Sequence, residues 1–255
     1  MQLFFRPVEK KYEGEGILPH GTFDNTNDWN PLIKYLEKGA IDFPDKTMFK
    51  MGDANGKIIE QFTYKETNQK SNQIANYLIE NCSVNSEDKI GIFMLNSSEF
   101  VFSILATHKT GAIQVPVNKD EKGERLLYVI NYSEMKVLII DKSAIDLIEP
   151  IADKFENLER IFISGSEGNI PNNLGNINCE EFESFNKGSI DNPNIKLTIA
   201  NKERCMFTSG TTGMPKGVVR EHGGVLMTVR SYIQHQGIRN NDTLMSVLSL
   251  VHANA

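Results

Sequence analysis

The sequence predicts an α/β fold, with layered βαβ units around a mostly parallel sheet. Three observations lead there. Runs of strand length, such as "KIGIFML" at 89–95 and "KVLII" at 136–140, are almost wholly apolar, as strands covered on both faces are. Stripes of apolar residues at helical spacing lie between them. Strand and helix alternate at a spacing that fits right-handed crossovers.

The elements follow in order. Asn30-Pro31 reads as a cap followed by a proline in the first helical position, with Leu32, Ile33 and Leu36 as the stripe and Gly39 as the stop. Residues 47–64 alternate loosely, with "DANG" at 53–56 as a turn between two strands. Lys65 to Glu80 is helical, with Ile74, Leu78 and Ile79 on one face. The strand at 89–95 is followed by Ser97-Ser98 as a cap, by Val101, Ile104, Leu105 and His108 on one helical face, and by Gly111 as terminator. "AIQVPVN" at 112–118 is the next strand, Leu126, Leu127 and Ile130 mark a helix, and 136–140 is a strand again. A helix over 144–156 and the strand "RIFIS" at 160–164 close the series. Gly165 to Asn194, rich in Gly, Asn, Ser and Pro, reads as a long irregular connection.

Composition narrows the function classes. The hydrophobic fraction is 40% and the charged fraction 24%, as in a globular protein. A net charge of −6 argues against a general nucleic-acid or anionic-membrane surface. No stretch approaches the roughly 20 apolar residues of a membrane span. Met1 to Phe5 is too short for a signal peptide, and Glu9, Lys10 and Lys11 follow at once. Cys82, Cys179 and Cys205 lack metal-ligand spacing and read as reduced, mostly buried thiols of a cytoplasmic protein.

Chemistry concentrates in one loop. Thr208-Ser209-Gly210-Thr211-Thr212-Gly213-Met214-Pro215-Lys216-Gly217 places four hydroxyl residues, three glycines, a proline and a lysine in ten positions. Met206-Phe207 and Val218-Val219 read as strands closing on it from either side. Glycines let backbone N–H groups approach a ligand closely, and successive N–H groups form an anion nest. Hydroxyls add donors that turn to suit phosphate oxygens, and Lys216 adds a compact positive charge. The loop contains no carboxylate base and no nucleophile–base pair. It suits a polyphosphate. It is not a Walker A loop, since Pro215 precedes Lys216 and Gly217 follows. The spacing of Gly210, Gly213 and Gly217 misses the dinucleotide fingerprint, and Ser209 lies in no nucleophile elbow.

"TSGTTGMPKGV" at 208–218 resembles the phosphate-loop signature of the AMP-forming adenylating enzymes: acyl- and aryl-CoA synthetases, adenylation domains of nonribosomal peptide synthetases, and luciferases. "FTYKET" at 62–67 is similar to their early T-Y-x-E-L segment, with Thr67 in place of leucine. "THKTGAIQVPVN" at 107–118 and "VVREHGGV" at 218–225 are similar to two further segments, with Glu221-His222 where a T-H pair is usual. The resemblance covers most of the chain from about residue 25 onward.

The resemblance implies ATP-dependent activation of a carboxylate to an acyl-adenylate, followed by thioester formation with coenzyme A. Thr208, Ser209, Gly210, Thr211, Thr212, Gly213 and Lys216 would cradle the β- and γ-phosphates, with Lys216 also catalytic through the leaving-group charge. Thr208 is the position that approaches Mg²⁺ in relatives. Ser249-Leu250-Val251-His252 resembles the P-L-F-H segment of acyl- and aryl-CoA synthetases, which implies a catalytic place for His252 near the substrate carboxylate. Amino-acid-activating relatives usually carry an F-D segment there, so His252 favours an acyl-CoA synthetase over an adenylation domain serving a carrier protein. A non-catalytic nucleotide-binding protein is the third reading. His108 reads as a core or interface histidine, and His222 as shaping the start of a helix.

Neither the Y-G-x-T/S-E segment that stacks adenine nor the T-G-D segment that holds ribose occurs in the sequence. Residues 1–255 are therefore expected to form the N-terminal part of an AMP-binding domain, without its C-terminal half and small lid domain. The expectations are weak ATP binding, no adenylation by this chain alone, and exposed apolar surface favouring association with a missing half or a second copy.

Overall fold

The computed structural model describes residues 29–208, 213–239 and 241–252. Helix α1 spans Leu32–Asp42. Pro31 is its cap rather than its first turn, and the Lys34 amide bonds the Pro31 carbonyl at 2.9 Å. Gly39 does not end this helix. It is a site of close approach, since a Cβ there would lie 2.7 Å from the ring of Tyr64. Strands β1 (Thr47–Gly52) and β2 (Ile58–Thr63) form the expected hairpin, and the Asp53 carboxylate accepts the Asn55 and Lys57 amides at the turn. Helix α2 (Tyr64–Cys82) starts with a capping box between Thr63 and Glu66.

The alternating series comes next: β3 (Lys89–Phe93), α3 (Ser98–Thr110), β4 (Ile113–Pro116), α4 (Gly123–Tyr132) and β5 (Met135–Asp141). Ser97 caps α3, accepting the Phe100 amide, and Gly111 ends it in the left-handed region at φ +79°. The single helix expected over 144–156 is broken into a 3₁₀ turn, a short α5 (Ile145–Ile148) and a second 3₁₀ stretch over 149–154. Pro150, near the start of that stretch, has no amide to donate. Strand β6 (Arg160–Ser164) is not the last of the series. Within the stretch expected to be irregular, β7 (Asn173–Leu174) and β8 (Ile177–Glu181) extend the sheet. Only Ile177 and Cys179 of β8 turn inward, which is too short an alternation to stand out among polar neighbours. Strands β9 (Lys202–Thr208) and β10 (Lys216–Glu221) and helix α6 (His222–Gln236) complete the order.

The main sheet runs β10-β9-β4-β3-β5-β6-β8-β7, parallel from β9 to β8 and antiparallel at both edges. Successive side chains point to opposite faces, so one strand feeds two cores. Leu138, Ile140, Ile161 and Ile163 pack with Leu126 and Val129 of α4 on one face. Ile90, Ile92, Val137, Ile139 and Phe162 pack with Ile74 and Leu78 of α2 and Phe100 of α3 on the other. Each such side chain contributes about 1.5–3 kcal/mol by burial.

Polar ties close the α2–α3 face. Asn68, Asn72 and Asn76 stand on one stripe of α2. Asn72 Nδ2 donates to the Ile190 carbonyl and to Asn192 Oδ1, and Asn76 Nδ2 to the carbonyls of Ser189 and Asp191. Lys109 Nζ bonds Asn68 Oδ1 at 2.9 Å, Glu37 Oε1 at 3.2 Å and Asn192 Oδ1 at 3.3 Å. One buried ammonium thus joins α1, α2, α3 and the chain after residue 188. Burial lowers its pKa to about 8, despite the opposing charge and hydrogen bond of Glu37.

A second buried joint attaches the β9–β10 hairpin. Beside the β4–β9 pairing of Gln114 with Arg204, the carboxylate of Glu203, with no exposed surface, takes both Nε and Nη2 of Arg204 at 2.6 Å. His108 Nε2 of α3 lies 3.1 Å from Glu203 Oε1, off the line of an aligned hydrogen bond. Burial opposes the Glu203 charge, but His108 and Arg204 outweigh it and hold the carboxyl at about 2. His108 is thus the buried histidine expected, and its ring meets that of His222 edge-on at 5.4 Å. Burial, and then the charges of His108 and Arg204, bring His222 down to about 4, against the pull of Glu203.

Both joints give pH signatures. The folded Lys109 releases its proton near pH 8 while the unfolded chain keeps it to about 10.5. The unfolded state therefore binds more protons in that window, and stability rises with pH there by roughly 3 kcal/mol. Lys109→Met should lose about 2 kcal/mol at neutral pH, through the orphaned Asn68 acceptor, and should lose the alkaline rise. Urea midpoints at pH 7, 8 and 10 check this; parallel profiles for parent and variant would count against it. Glu203 acts at the acid end. Its contribution is complete above its unfolded pKa of 4.5 and disappears as pH falls towards 2. Glu203→Gln should cost about 3 kcal/mol at pH 7 and flatten the acid limb of a denaturation series.

Candidate functional site

The phosphate-loop residues sit at the turn of the β9–β10 hairpin. The register pairs Thr208 with Lys216, Phe207 with Gly217 and Met206 with Val218, so strands do close on the loop from both sides. Because β9 runs parallel to β4, the loop leaves the sheet at its carboxyl edge, where such sheets bind ligands. Thr208 Oγ1 donates to the Lys216 carbonyl at 3.4 Å, across the neck of the loop. Gly213 is exposed with open space around it, Pro215 is buried, and Lys216 is exposed. The Lys216 ammonium has no carboxylate partner among the described residues. Ser209, Gly210, Thr211 and Thr212 lie outside the described residues.

The neck is shaped by small side chains. A Cβ at Gly217 would meet Cys205 Sγ at 3.0 Å and Phe207 at 3.6 Å. Phe207 meets Tyr132 of α4 edge-on at 6.1 Å, which ties the hairpin to the sheet's flank. The amino end of α6 does not serve as an anion site. Its His222 and Gly223 amides are committed to the carbonyls of Asn201 and Ile199, at 3.0 and 2.8 Å. His222 therefore shapes the start of that helix, as its position in the sequence suggested.

The segment carrying His252 lies at the same carboxyl edge. Val251 is 6% exposed and joins the core under α2 and α3, while His252 is exposed and its amide closes a turn on the Ser249 carbonyl at 3.0 Å. The segment is held by Asn96, three residues beyond β3. Strand β3 is two places from β9, a lateral distance of about 10 Å at ordinary strand spacing. The next strand, β5, ends in Asp141, which accepts the Leu95 amide at 2.7 Å, Lys119 Nζ at 3.0 Å and the Ser143 hydroxyl. Burial opposes the Asp141 charge, but Ser143, the Leu95 amide and Lys119 hold the carboxyl below its ordinary range.

Asn96, Asp141 and Glu203 carry no motif. Asp141 alone had a readable signal, a carboxylate at the end of a buried strand. Among the described residues no group of three His, Cys, Asp or Glu side chains could hold a metal. The Thr208 hydroxyl, exposed at the neck, offers one hard oxygen ligand of the kind that Mg²⁺ accepts beside phosphate and water. No helix among the described residues is long and apolar enough to cross a membrane.

Known proteins are similar to this chain in sequence and in fold. A crotonobetaine/carnitine–CoA ligase of Proteus is 26% identical over 225 residues, covering 88% of this chain and 41% of its own length. A medium/long-chain-fatty-acid–CoA ligase of Mycobacterium tuberculosis is 31% identical over 221 residues, covering 85% and 33%. Tyrocidine synthase 1 of Brevibacillus parabrevis is 26% identical over 214 residues, covering 84% and 17%. The chain thus spans less than half the length of these relatives. In structure it is similar to a long-chain-fatty-acid–CoA ligase of Archaeoglobus fulgidus, with a TM-score of 0.72 at 23% identity over 88% of this chain and 43% of that one. It is also similar to an anthranilate CoA ligase in complex with anthranoyl-AMP, with a TM-score of 0.66 at 23% identity over 79% and 36%. The AMP-binding enzyme family matches residues 36–255, and the chain belongs to that family.

Proposed function

We propose that this protein serves an AMP-forming acid–thiol ligase reaction of the acyl-CoA synthetase type, with ATP, a carboxylic acid and coenzyme A as substrates. The observation that carries the reading is the hairpin turn at the sheet's carboxyl edge, with the Lys216 ammonium, unpaired among the described residues, and the Thr208 hydroxyl at its neck. A carboxylate oxygen attacks the α-phosphorus of ATP, the bond to pyrophosphate breaks, and an acyl-adenylate forms. The thiolate of coenzyme A then attacks the acyl carbon, and AMP leaves.

The chain's residues have distinct tasks. Thr208, Ser209, Gly210, Thr211, Thr212, Gly213 and Lys216 hold the β- and γ-phosphates. Lys216 stabilises the charge that grows on the leaving pyrophosphate, and donors fixed in advance for that charge lower the barrier. Thr208 is the residue that would hold Mg²⁺, and the bound ion would neutralise phosphate charge. His252, exposed on the segment held beyond β3 two strands from the hairpin, is the residue that would meet the substrate carboxylate. Thr208 and Lys216 thus belong to the polyphosphate part of the site. Val218 and Val219 of β10 and Met227 and Tyr232 of α6 leave apolar surface exposed at this edge of the sheet, which suits association with a partner or a second copy. The free thiols, Cys82 and Cys179 buried and Cys205 half-buried, suit a cytoplasmic setting.

A second reading has the family membership in its favour, since tyrocidine synthase 1 is among the relatives: activation of an amino or aryl acid for a carrier protein. The retained His252 supports the CoA reading instead.

Calorimetric titration with pyrophosphate and with ATP tests the proposal. Both should bind, competing for one site, and Lys216→Ala should weaken pyrophosphate about tenfold or more, as loss of a charge-assisted hydrogen bond does. Equal affinity in the variant would remove Lys216 from the site.

A further inference from the structure

We propose that Asn96 is a positioning residue, whose side-chain amide sets the segment bearing His252 on the carboxyl edge beside the phosphate hairpin. The inference rests on the reading above for what His252 does. It rests on the structure for how His252 comes to be there.

Both ends of the amide are used. Asn96 Nδ2 donates to the Leu248 carbonyl at 2.8 Å, and Asn96 Oδ1 accepts the Leu250 amide at 2.8 Å. This is the exchange one strand residue makes with a partner strand, made here by a side chain. The pairing also fixes the amide's orientation, since turning it over would set oxygen against oxygen and donor against donor. Aspartate in its place would offer Leu248 a second acceptor, and alanine would offer nothing.

Asn96 is itself held on both sides. The amide of Leu95, just before it, is bonded to Asp141, which Lys119 and Ser143 brace. Ser97, just after it, caps α3. The segment it grips is also anchored by the partly buried Leu250 and, beside it, by the buried Val251. His252 follows that anchor directly and is exposed. The backbone at 248–250 is therefore fixed by hydrogen bonds, and that at 251 by burial, leaving the imidazole free to meet a ligand.

The place matters too. The crossover from β3 leads to β4 on one side, while that from β5 leads to β6 on the other, so β3 and β5 flank a topological switch point. Such points ordinarily receive the ligand itself. Here the Asp141 carboxylate and its donors occupy the strand ends, and the neighbouring asparagine displays a protein segment over them. In this sheet the switch point organises the carboxylate side of the reaction, and the hairpin at β9 organises the phosphate side.

The test uses the full chain and three readings. In Asn96→Ala the Leu250 amide should exchange hydrogen at least tenfold faster than in the parent, with the unfolding midpoint within a few degrees and pyrophosphate affinity unchanged. Asn96→Asp, which keeps only the acceptor, should fall between them. The imidazole resonance of His252, assigned with His252→Gln, should shift on adding octanoate or benzoate to the parent and should not shift in Asn96→Ala. Unchanged Leu250 protection in Asn96→Ala overturns the positioning role, however the octanoate response falls. An imidazole that ignores both acids in the parent, with Leu250 protection still lost in the variant, upholds the positioning of the segment and sinks the carboxylate reading of His252 instead.

Discussion

The hairpin that carries the phosphate loop depends on one buried charge. Strand β9 pairs with the body of the sheet beside Gln114, and its companion β10 is an edge strand with Val218 and Val219 half exposed. A hairpin attached along a short ladder would pivot. Glu203 prevents this by holding Arg204 through both oxygens while facing His108 of α3. A carboxylate with no exposed surface is costly unless it is paired, so the joint tolerates little displacement. The rigidity lies at the foot of the hairpin, and the ligand-facing residues are at the other end.

The rest of the architecture repeats this separation. The parallel strands are apolar on both faces and supply a platform through packing alone. Polar groups gather where strands end: Thr208 and Lys216 on the hairpin, Lys119 after β4, Asn96 after β3 and Asp141 at the end of β5. Each of those chain exits is then fixed by a short hydrogen-bonded link rather than by a long loop. Sub-ångström placement of a reacting group depends on such links, because interiors are close-packed and transmit position faithfully.

What could be read from residues alone follows the range of the interaction. Strands β3 to β6 and helices α2 to α4 were legible, since their signals are local: apolar runs, the stripe of Ile74, Leu78 and Ile79, Ser97 and Gly111 at the ends of a helix. The hairpin around the phosphate loop was legible because glycine, hydroxyl and lysine density is itself a local signal. Gly39 was misread as a helix stop because its reason is the ring of Tyr64, which is close in space and distant in sequence. Strand β8 was hidden for a similar reason, since its partner β6 and not its own composition makes it a strand. The same holds for Asn96 and Glu203. An asparagine before a serine and a glutamate between a lysine and an arginine look like ordinary surface residues until the fold brings Leu250 and His108 to them.

Charge placement gives the last constraint. The chain carries a net charge of −6, and a polyphosphate approaching it meets an unfavourable overall field. Screening confines that field to about 8 Å at physiological salt, so the charges nearest the ligand decide. Lys119 is committed to Asp141 on this edge, and Lys109, Lys202 and Arg204 are committed to Glu37, Glu87 and Glu203 towards the foot of the hairpin. Lys216 has no such partner among the described residues, and it stands exposed at the neck of the loop. An ammonium already paired would have to exchange one anion for another, and most of the gain would cancel. The unpaired one offers its full interaction to the incoming phosphate. What distinguishes it is its place, because a polyanion on this edge meets an uncommitted positive charge at the mouth of a loop of hydroxyls and glycines.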